Sequence, residues 1–152
     1  MKYKVGIIDD DPLICDVVSS VLRSNFEDIE VYIYNEPVVS PTLDIYIIDN
    51  QFDGECYIKG LLKEIRSCNP NALVVAMSAT LDFDVLRELM NSGCNAAWNK
   101  NWDQSEEILN IIKTYIHTLE RAKTKQSKGM KGAFDSLTDL LTQWNERLKN
   151  DI

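Results

Sequence analysis

An apolar run that ends abruptly in a carboxylate is the feature that most constrains the fold of this 152-residue chain. Residues 45–48 show no alternation of polar and apolar side chains, which is typical of a strand covered on both faces in a parallel sheet. Asp49 follows this strand directly. Ligand sites of such sheets lie outside the carboxyl ends of the strands. We therefore expect Asp49 to lie at a binding site.

A second predicted strand brings two more acids to the same edge of the sheet. Residues 3–8 form this strand, and Asp9 and Asp10 follow it directly. The carboxyl ends of parallel strands meet at one edge, so these acids should lie close to Asp49. Three carboxylates without a cation would repel each other, which disfavours their ionised forms. The pattern therefore indicates a cation site.

The rest of the chain alternates between strand and helix patterns. Asp11-Pro12 indicates a helix start, with an acid at the N-cap, and Leu13 begins the predicted inward face of that helix. Pro37 and Pro41 disfavour a helix between the second and third strands. Five strands separated by helices imply an open parallel sheet with right-handed crossovers. Strand patterns recur at residues 29–34, 73–77 and 95–99, and helix patterns at residues 12–25, 53–69, 82–93 and 103–120.

Composition excludes several classes of function. The formal net charge is -8, and residues 1–118 hold nine Lys and Arg against 19 Asp and Glu, which argues against a nucleic-acid-binding surface. The N-terminus has no apolar signal segment, and the longest apolar run, residues 72–77, is too short to span a bilayer. We therefore expect a cytoplasmic protein. The four cysteines lack C-x-x-C spacing and are expected to be reduced thiols.

The ends of four strands together resemble a known family. Polar or small residues follow these strands in chain order: Asp9-Asp10, Asp49, Ser78-Ala79 and Lys100. Each feature alone is weak, but in this order they resemble the CheY-like receiver domain of two-component response regulators over residues 1–120. The resemblance implies an α/β fold with a flavodoxin-like, doubly wound sheet of five parallel strands in the order 2-1-3-4-5. In this chain the second helix is expected to be shortened or absent.

The acids of the predicted cation site suit a hard divalent ion. Carboxylate oxygens are the ligands that Mg²⁺ prefers, so Asp9, Asp10 and Asp49 are candidate ligands of Mg²⁺ or Mn²⁺. By analogy with the family, the backbone carbonyl of Gln51 would be a fourth protein ligand.

The resemblance also implies a phosphorylation switch rather than an enzyme. Asp49 would be the phosphoacceptor, attacking the phosphorus of a donor to form an acyl phosphate, while Lys100 offsets the charge on the transferring oxygens. Ser78 and Ala79 would lie against the phosphoryl group and relay its presence. The implied partners are a sensor histidine kinase or a phosphotransfer protein and a downstream protein, with no direct DNA binding and no membrane contact.

Two other functions remain open. The loop after the phosphoacceptor is shorter than in the family, Asn101 stands where the family has a proline, and Ala97 stands where it has an aromatic switch residue. These features favour a receiver-like adaptor that does not use phosphate. By strand alternation, Trp98 should pack on the face opposite Ala97. A Mg²⁺-dependent aspartyl phosphatase is disfavoured, because Asn50-Gln51 offers no second acid to protonate a leaving group.

The C-terminal residues form two further segments. Residues 121–132 carry Arg and Lys with no acid between them, contain two glycines and are predicted to be a basic linker. Residues 133–152 are predicted to form an amphipathic helix, which at this length needs a surface to cover its apolar face. We favour a homodimer over docking on the receiver domain. The apolar face consists of Phe134, Leu137, Leu141, Trp144 and Leu148.

Overall fold

Five parallel strands form one sheet in the computed structural model, which describes residues 2–51, 56–100, 105–126 and 139–147. The strand order is β2-β1-β3-β4-β5, as the family resemblance implies. The strand bounds differ from the predicted ones by at most one residue. The strands are β1 (Tyr3–Ile8), β2 (Ile29–Tyr34), β3 (Ile45–Asp49), β4 (Leu73–Ser78) and β5 (Ala96–Asn99).

Helices cover both faces of this sheet. One face packs against α1 and α4 through a core cluster that includes Ile7, Ile47 and Trp98. The other face packs against α2 and α3 through a second cluster that includes Tyr46 and Ile48. Every residue of β3 and β4 is buried, which explains their continuous apolar runs. The helices are α1 (Pro12–Asn25), α2 (Ile58–Cys68), α3 (Phe83–Asn91), α4 (Ser105–Gln126) and α5 (139–147).

The first helix begins where its capping residues predict. Asp11 is the N-cap, and its Oδ1 accepts a hydrogen bond from the Leu13 amide at 2.9 Å. The prediction that Leu13 faces inward is wrong, since its exposed fraction is 68%. Pro12 and Leu13 in the first turn of α1 are both exposed, and full burial begins only at Cys15. Cys15 and Ser19 take buried positions further along the helix.

The fourth helix is longer than predicted. α4 continues to Gln126, so residues 121–126 of the predicted linker are helical. This extension lies over the start of the sheet, where Lys123 Nζ is 5.0 Å from the centre of the Tyr3 ring, a cation–π distance. The rest of that linker, residues 127–132, lies outside the described residues. No helix in the described ranges is both long and apolar enough to cross a membrane.

An irregular segment replaces the helix between β2 and β3, as the two prolines predict. Residues 35–44 are described throughout and contain only turns and bends. Leu43 from this segment is buried over Gly6 of β1, and its carbonyl accepts a hydrogen bond from Asn69 Nδ2 at 2.8 Å. Tyr46 anchors the segment further by donating its hydroxyl hydrogen to the Ser40 carbonyl. The loop therefore covers the sheet in place of a helix.

Gly6 should be intolerant of a side chain because of this close packing. A Cβ at Gly6 would collide with Leu43 Cδ1, and Leu43 is itself buried. We expect Gly6→Ala to lower the free energy of unfolding by about 1–3 kcal/mol, as overpacking usually does. Gly60→Ala is the matched control, because nothing lies within 4 Å of a Cβ at this position in α2. That change should raise stability by about 0.5–1 kcal/mol. Urea unfolding of both variants measures the difference, and equal values would contradict the packing argument.

Candidate functional site

Three acids meet at the carboxyl edge of the sheet, as the order of strands requires. β1 and β3 are neighbours with Ile8 opposite Ile48, so Asp9 and Asp10 emerge beside Asp49. One carboxylate oxygen from each acid lies within 4.8 Å of the others. Asp9 and Asp49 are buried. The structure thus brings together the acids that the sequence predicts to be neighbours.

Lys100 joins two of these acids from the far side of β4. Its Nζ lies 2.8 Å from Asp9 Oδ2 and 3.1 Å from Asp49 Oδ1. The main chain places it there, because β5 pairs with β4 and the Lys100 amide donates to the Ser78 carbonyl at 2.9 Å. The lysine side chain is largely buried with its partners. An ion pair of this kind offsets the repulsion between the two carboxylates.

The pKa values reflect this crowding of charge. Burial raises the pKa of Asp49, the negative charge of Asp9 raises it further, and Lys100 opposes both effects. Burial alone would lower the pKa of Lys100, but its hydrogen bonds and charge interactions with Asp9 and Asp49 leave that pKa raised. Lys100 is therefore held in its charged form.

An open cleft of about 490 Å³ lies beside Asp49 and Lys100. Ser78 and Ala79 line it, as the resemblance implies, and Thr80 lies with them. The Ser78 hydroxyl is turned onto its own loop, where Oγ donates to the Thr80 carbonyl at 2.7 Å and accepts from the Thr80 amide at 3.3 Å. Ser78 and Thr80, which both line the cleft, are therefore hydrogen-bonded to each other.

Four residues that the sequence analysis compared with the family pattern are Gln51, Ala97, Trp98 and Asn101, and the structure describes the first three. Gln51 lines the cleft, and its main-chain N–H donates to Asp49 Oδ1 at 3.3 Å. Metal binding by the main-chain carbonyl of Gln51 stays a prediction. Ala97 and Trp98 are buried in the two different core clusters, which confirms that Trp98 packs on the face opposite Ala97. Asn101 lies outside the described residues.

Two residues of the site were missed by sequence reasoning. Asn35 Nδ2 donates to the Asp9 carbonyl at 3.1 Å, and Cys15 Sγ donates to the same oxygen at 3.5 Å. Burial raises the pKa of Cys15 to about 11, so the thiol keeps its hydrogen. Asn35 follows β2 directly, and the rule that identified the other strand-end residues applies to it as well. All four cysteines are free thiols, as predicted.

The acids fit a divalent cation by their chemistry and by their contacts. The donor set is oxygen only, which suits Mg²⁺. Within the described part of the chain, the fully buried Asp9 Oδ2 is paired with Lys100 Nζ and has no further hydrogen-bond donor. Such an oxygen retains lone pairs for a further positive ligand.

The C-terminal helix packs on its own chain. Leu141 and Trp144 of α5 contact the core cluster on the α1 and α4 face. Docking within one chain is the arrangement that the sequence left as the alternative to a homodimer. The other predicted face residues, Phe134, Leu137 and Leu148, lie outside the described residues.

Comparison with known proteins identifies the class of fold. No protein-family model and no curated protein matches the sequence. Among solved structures, the BeF3-activated receiver domain of DrrB from Thermotoga maritima superposes with a TM-score of 0.66 at 16% identity, covering 77% of this chain and 99% of that one.

Two further structures agree with this match. A CheY-like receiver domain protein from Methanospirillum hungatei JF-1 gives a TM-score of 0.66 at 20% identity, covering 80% of this chain and 98% of that one. The chemotaxis response regulator CheY4 of Vibrio cholerae gives 0.63 at 17% identity, covering 75% and 98%. The chain therefore has the fold of response regulator receiver domains.

Asp49 should reduce the stability of the folded chain at neutral pH in the absence of metal. Its pKa is raised, so the folded state binds the proton more tightly than the unfolded chain, and stability falls as the pH rises through that raised pKa. We expect Asp49→Asn to raise the urea midpoint at pH 7, with the gain disappearing at about pH 4 and below, near the ordinary pKa of aspartate. Asp16→Asn, an exposed change on α1, is the control. A midpoint gain for Asp49→Asn that is the same at both pH values would contradict the assignment.

Proposed function

We propose that this chain is a two-component response regulator in which Asp49 accepts a phosphoryl group. The observation that carries the proposal is the position of Asp49, which ends a central strand, lies within reach of two further acids and is 3.1 Å from Lys100. An acid with a cation beside it, at the mouth of an open cleft, has the parts that phosphoryl transfer requires.

The reaction forms one bond and breaks one. An Asp49 carboxylate oxygen attacks the phosphorus, and the bond between phosphorus and the leaving group breaks with its electron pair going to the leaving group. The product is an acyl phosphate. Lys100 supports the reaction twice, because it favours the ionised form of Asp49 beforehand and lies beside the oxygens that carry negative charge during transfer.

Mg²⁺ is the cofactor that this donor set would hold, through Asp9, Asp10 and Asp49, with the carbonyl of Gln51 as the family would add. When bound, the ion supplies positive charge to the phosphoryl oxygens. Asn35 and Cys15 contribute indirectly, since both hold the main chain of Asp9 in place. A rigid Asp9 keeps the acids at the spacing that binding needs.

The Ser78 hydroxyl is the group that would report the new phosphate. To donate to a phosphoryl oxygen, it must release the hydrogen bond that it donates to the Thr80 carbonyl. Such an exchange moves the loop after β4, so that phosphorylation of Asp49 changes the conformation of this loop. The donor would be a sensor histidine kinase or a phosphotransfer protein, and the output would be a contact with another protein.

Phosphorylation is tested directly with the purified chain. Given Mg²⁺ and a small acyl phosphate, it should gain one phosphoryl group, seen by intact-mass measurement, and Asp49→Asn should gain none. Asp16→Asn tests specificity, because it removes an exposed carboxylate on α1 and should be phosphorylated normally. No gain in the unmodified chain would favour the phosphate-independent adaptor, and repeated hydrolysis of added phosphoesters would favour the aspartyl phosphatase.

The metal ligands are tested by comparing two adjacent acids. We expect Asp10→Asn to weaken Mg²⁺ binding by roughly tenfold or more, since losing an outer-shell partner alone typically costs that much. Asp11→Asn should leave Mg²⁺ affinity nearly unchanged, because Asp11 caps α1 and Asn, an equally good N-cap residue, keeps that role. Isothermal titration of each variant gives the affinities, and equal losses would show that the assignment of Asp10 is wrong.

A further inference from the structure

The C-terminal helix α5 rests against the edge strand of the sheet and the last long helix. Trp144 lies over a small cavity of about 230 Å³ whose other walls include Ala96 of β5 and Ile111 and Thr114 of α4. We call these three residues, with the main chain of residues 94 and 95, the β5–α4 face. Trp144 and Leu141 are only partly buried in this contact. Such a contact is weaker than that of a core helix.

A polar contact fixes the position of α5 on this face. The carbonyl oxygens around it assign the Asn145 amide nitrogen to the side that faces the strand, where it donates to the carbonyl oxygens of Asn95, at 2.6 Å, and Cys94, at 3.2 Å. Asn95 is in turn held firmly, because its Oδ1 accepts from the Val74 amide at 2.8 Å and from Arg66 at 2.6 Å. The contact of α5 with the sheet therefore depends on the position of the main chain just before β5.

The other end of β5 lies in the functional site. The strand has four residues, Ala96–Asn99, and Lys100 follows directly with its Nζ between Asp9 and Asp49. A strand of this length spans about 13 Å. Among the described residues β5 pairs with β4 alone and is the edge strand, so it has fewer main-chain hydrogen bonds to hold it than the central strands.

We propose that α5 is the output element of the switch and that phosphorylation of Asp49 releases it from the β5–α4 face. This inference rests on the proposed function of Asp49. The phosphoryl oxygens lie farther from the end of β3 than the Asp49 carboxylate, because the group is added to it. Lys100 and Ser78 follow these oxygens, and β5, joined to both, moves away from the position that fits Asn145 and Trp144.

Coupling between two sites is reciprocal, which gives the proposal a second consequence. If phosphate weakens the docking of α5, then docking of α5 must disfavour phosphate by the same factor. Asn145→Ala, which loosens the helix without touching the site, should therefore increase the fraction of chain phosphorylated at limiting donor. Gln143→Ala, an exposed change on the same helix, should leave that fraction unchanged.

Hydrogen–deuterium exchange of the full chain tests the release. The amides of residues 139–147 should exchange roughly tenfold faster after treatment with Mg²⁺ and a small acyl phosphate. A tenfold change is within the usual range of coupling between two sites. Asn145→Ala should show the faster exchange without phosphate, and Asp49→Asn should show no response.

Intact mass, measured on the same samples, separates the two proposals. A phosphoryl gain with unchanged or slower exchange over 139–147 would overturn the release of α5 while leaving the phosphoacceptor role of Asp49 in place. Absence of any phosphoryl gain would remove both, because the release depends on the modification.

Discussion

The contact of Lys100 with Asp9 and Asp49 is the interaction on which the site depends. Two carboxylates buried at neighbouring strand ends repel each other, and without a positive charge the pKa of Asp49 would rise further. The compensating charge comes from a different part of the sheet, since Lys100 follows the edge strand β5 and must reach past β4. The charge balance of the centre of the sheet therefore depends on the position of its edge.

The irregular segment after β2 serves this site as well as the core. A helix would ordinarily cover this part of the sheet, and here Leu43 fills the space over Gly6 instead. Asn35, at the start of the same segment, holds the Asp9 carbonyl at 3.1 Å. The irregular segment is held at both ends by side-chain hydrogen bonds to main-chain carbonyls, from Asn35 to Asp9 and from Asn69 to Leu43. It therefore holds Asp9 in position although it contains no helix.

The C-terminal helix gives the edge strand a second partner. Lys100 ties one end of β5 to the acids, and Asn145 of α5 binds the main chain just before its other end. The proposed release of α5 requires that these two contacts be coupled through the short strand between them. Trp144 is only partly buried, so releasing α5 exposes less apolar surface than releasing a core helix would. The free energy of release is therefore small enough for a change at a single residue to supply.

The sequence by itself determined the strands, their order through a family resemblance, the cap at Asp11 and the acids at the sheet edge. The strands and the cap depend on neighbouring residues, because burial on two faces and helix capping leave patterns within a few positions. The tertiary structure decided the rest. The exposure of Leu13, the bonds of Asn35 and Cys15 to Asp9, and the docking of α5 on β5 all join residues whose proximity depends on how the strands and helices pack. Local periodicity carries no information about such contacts, and only the packed chain brings these groups together.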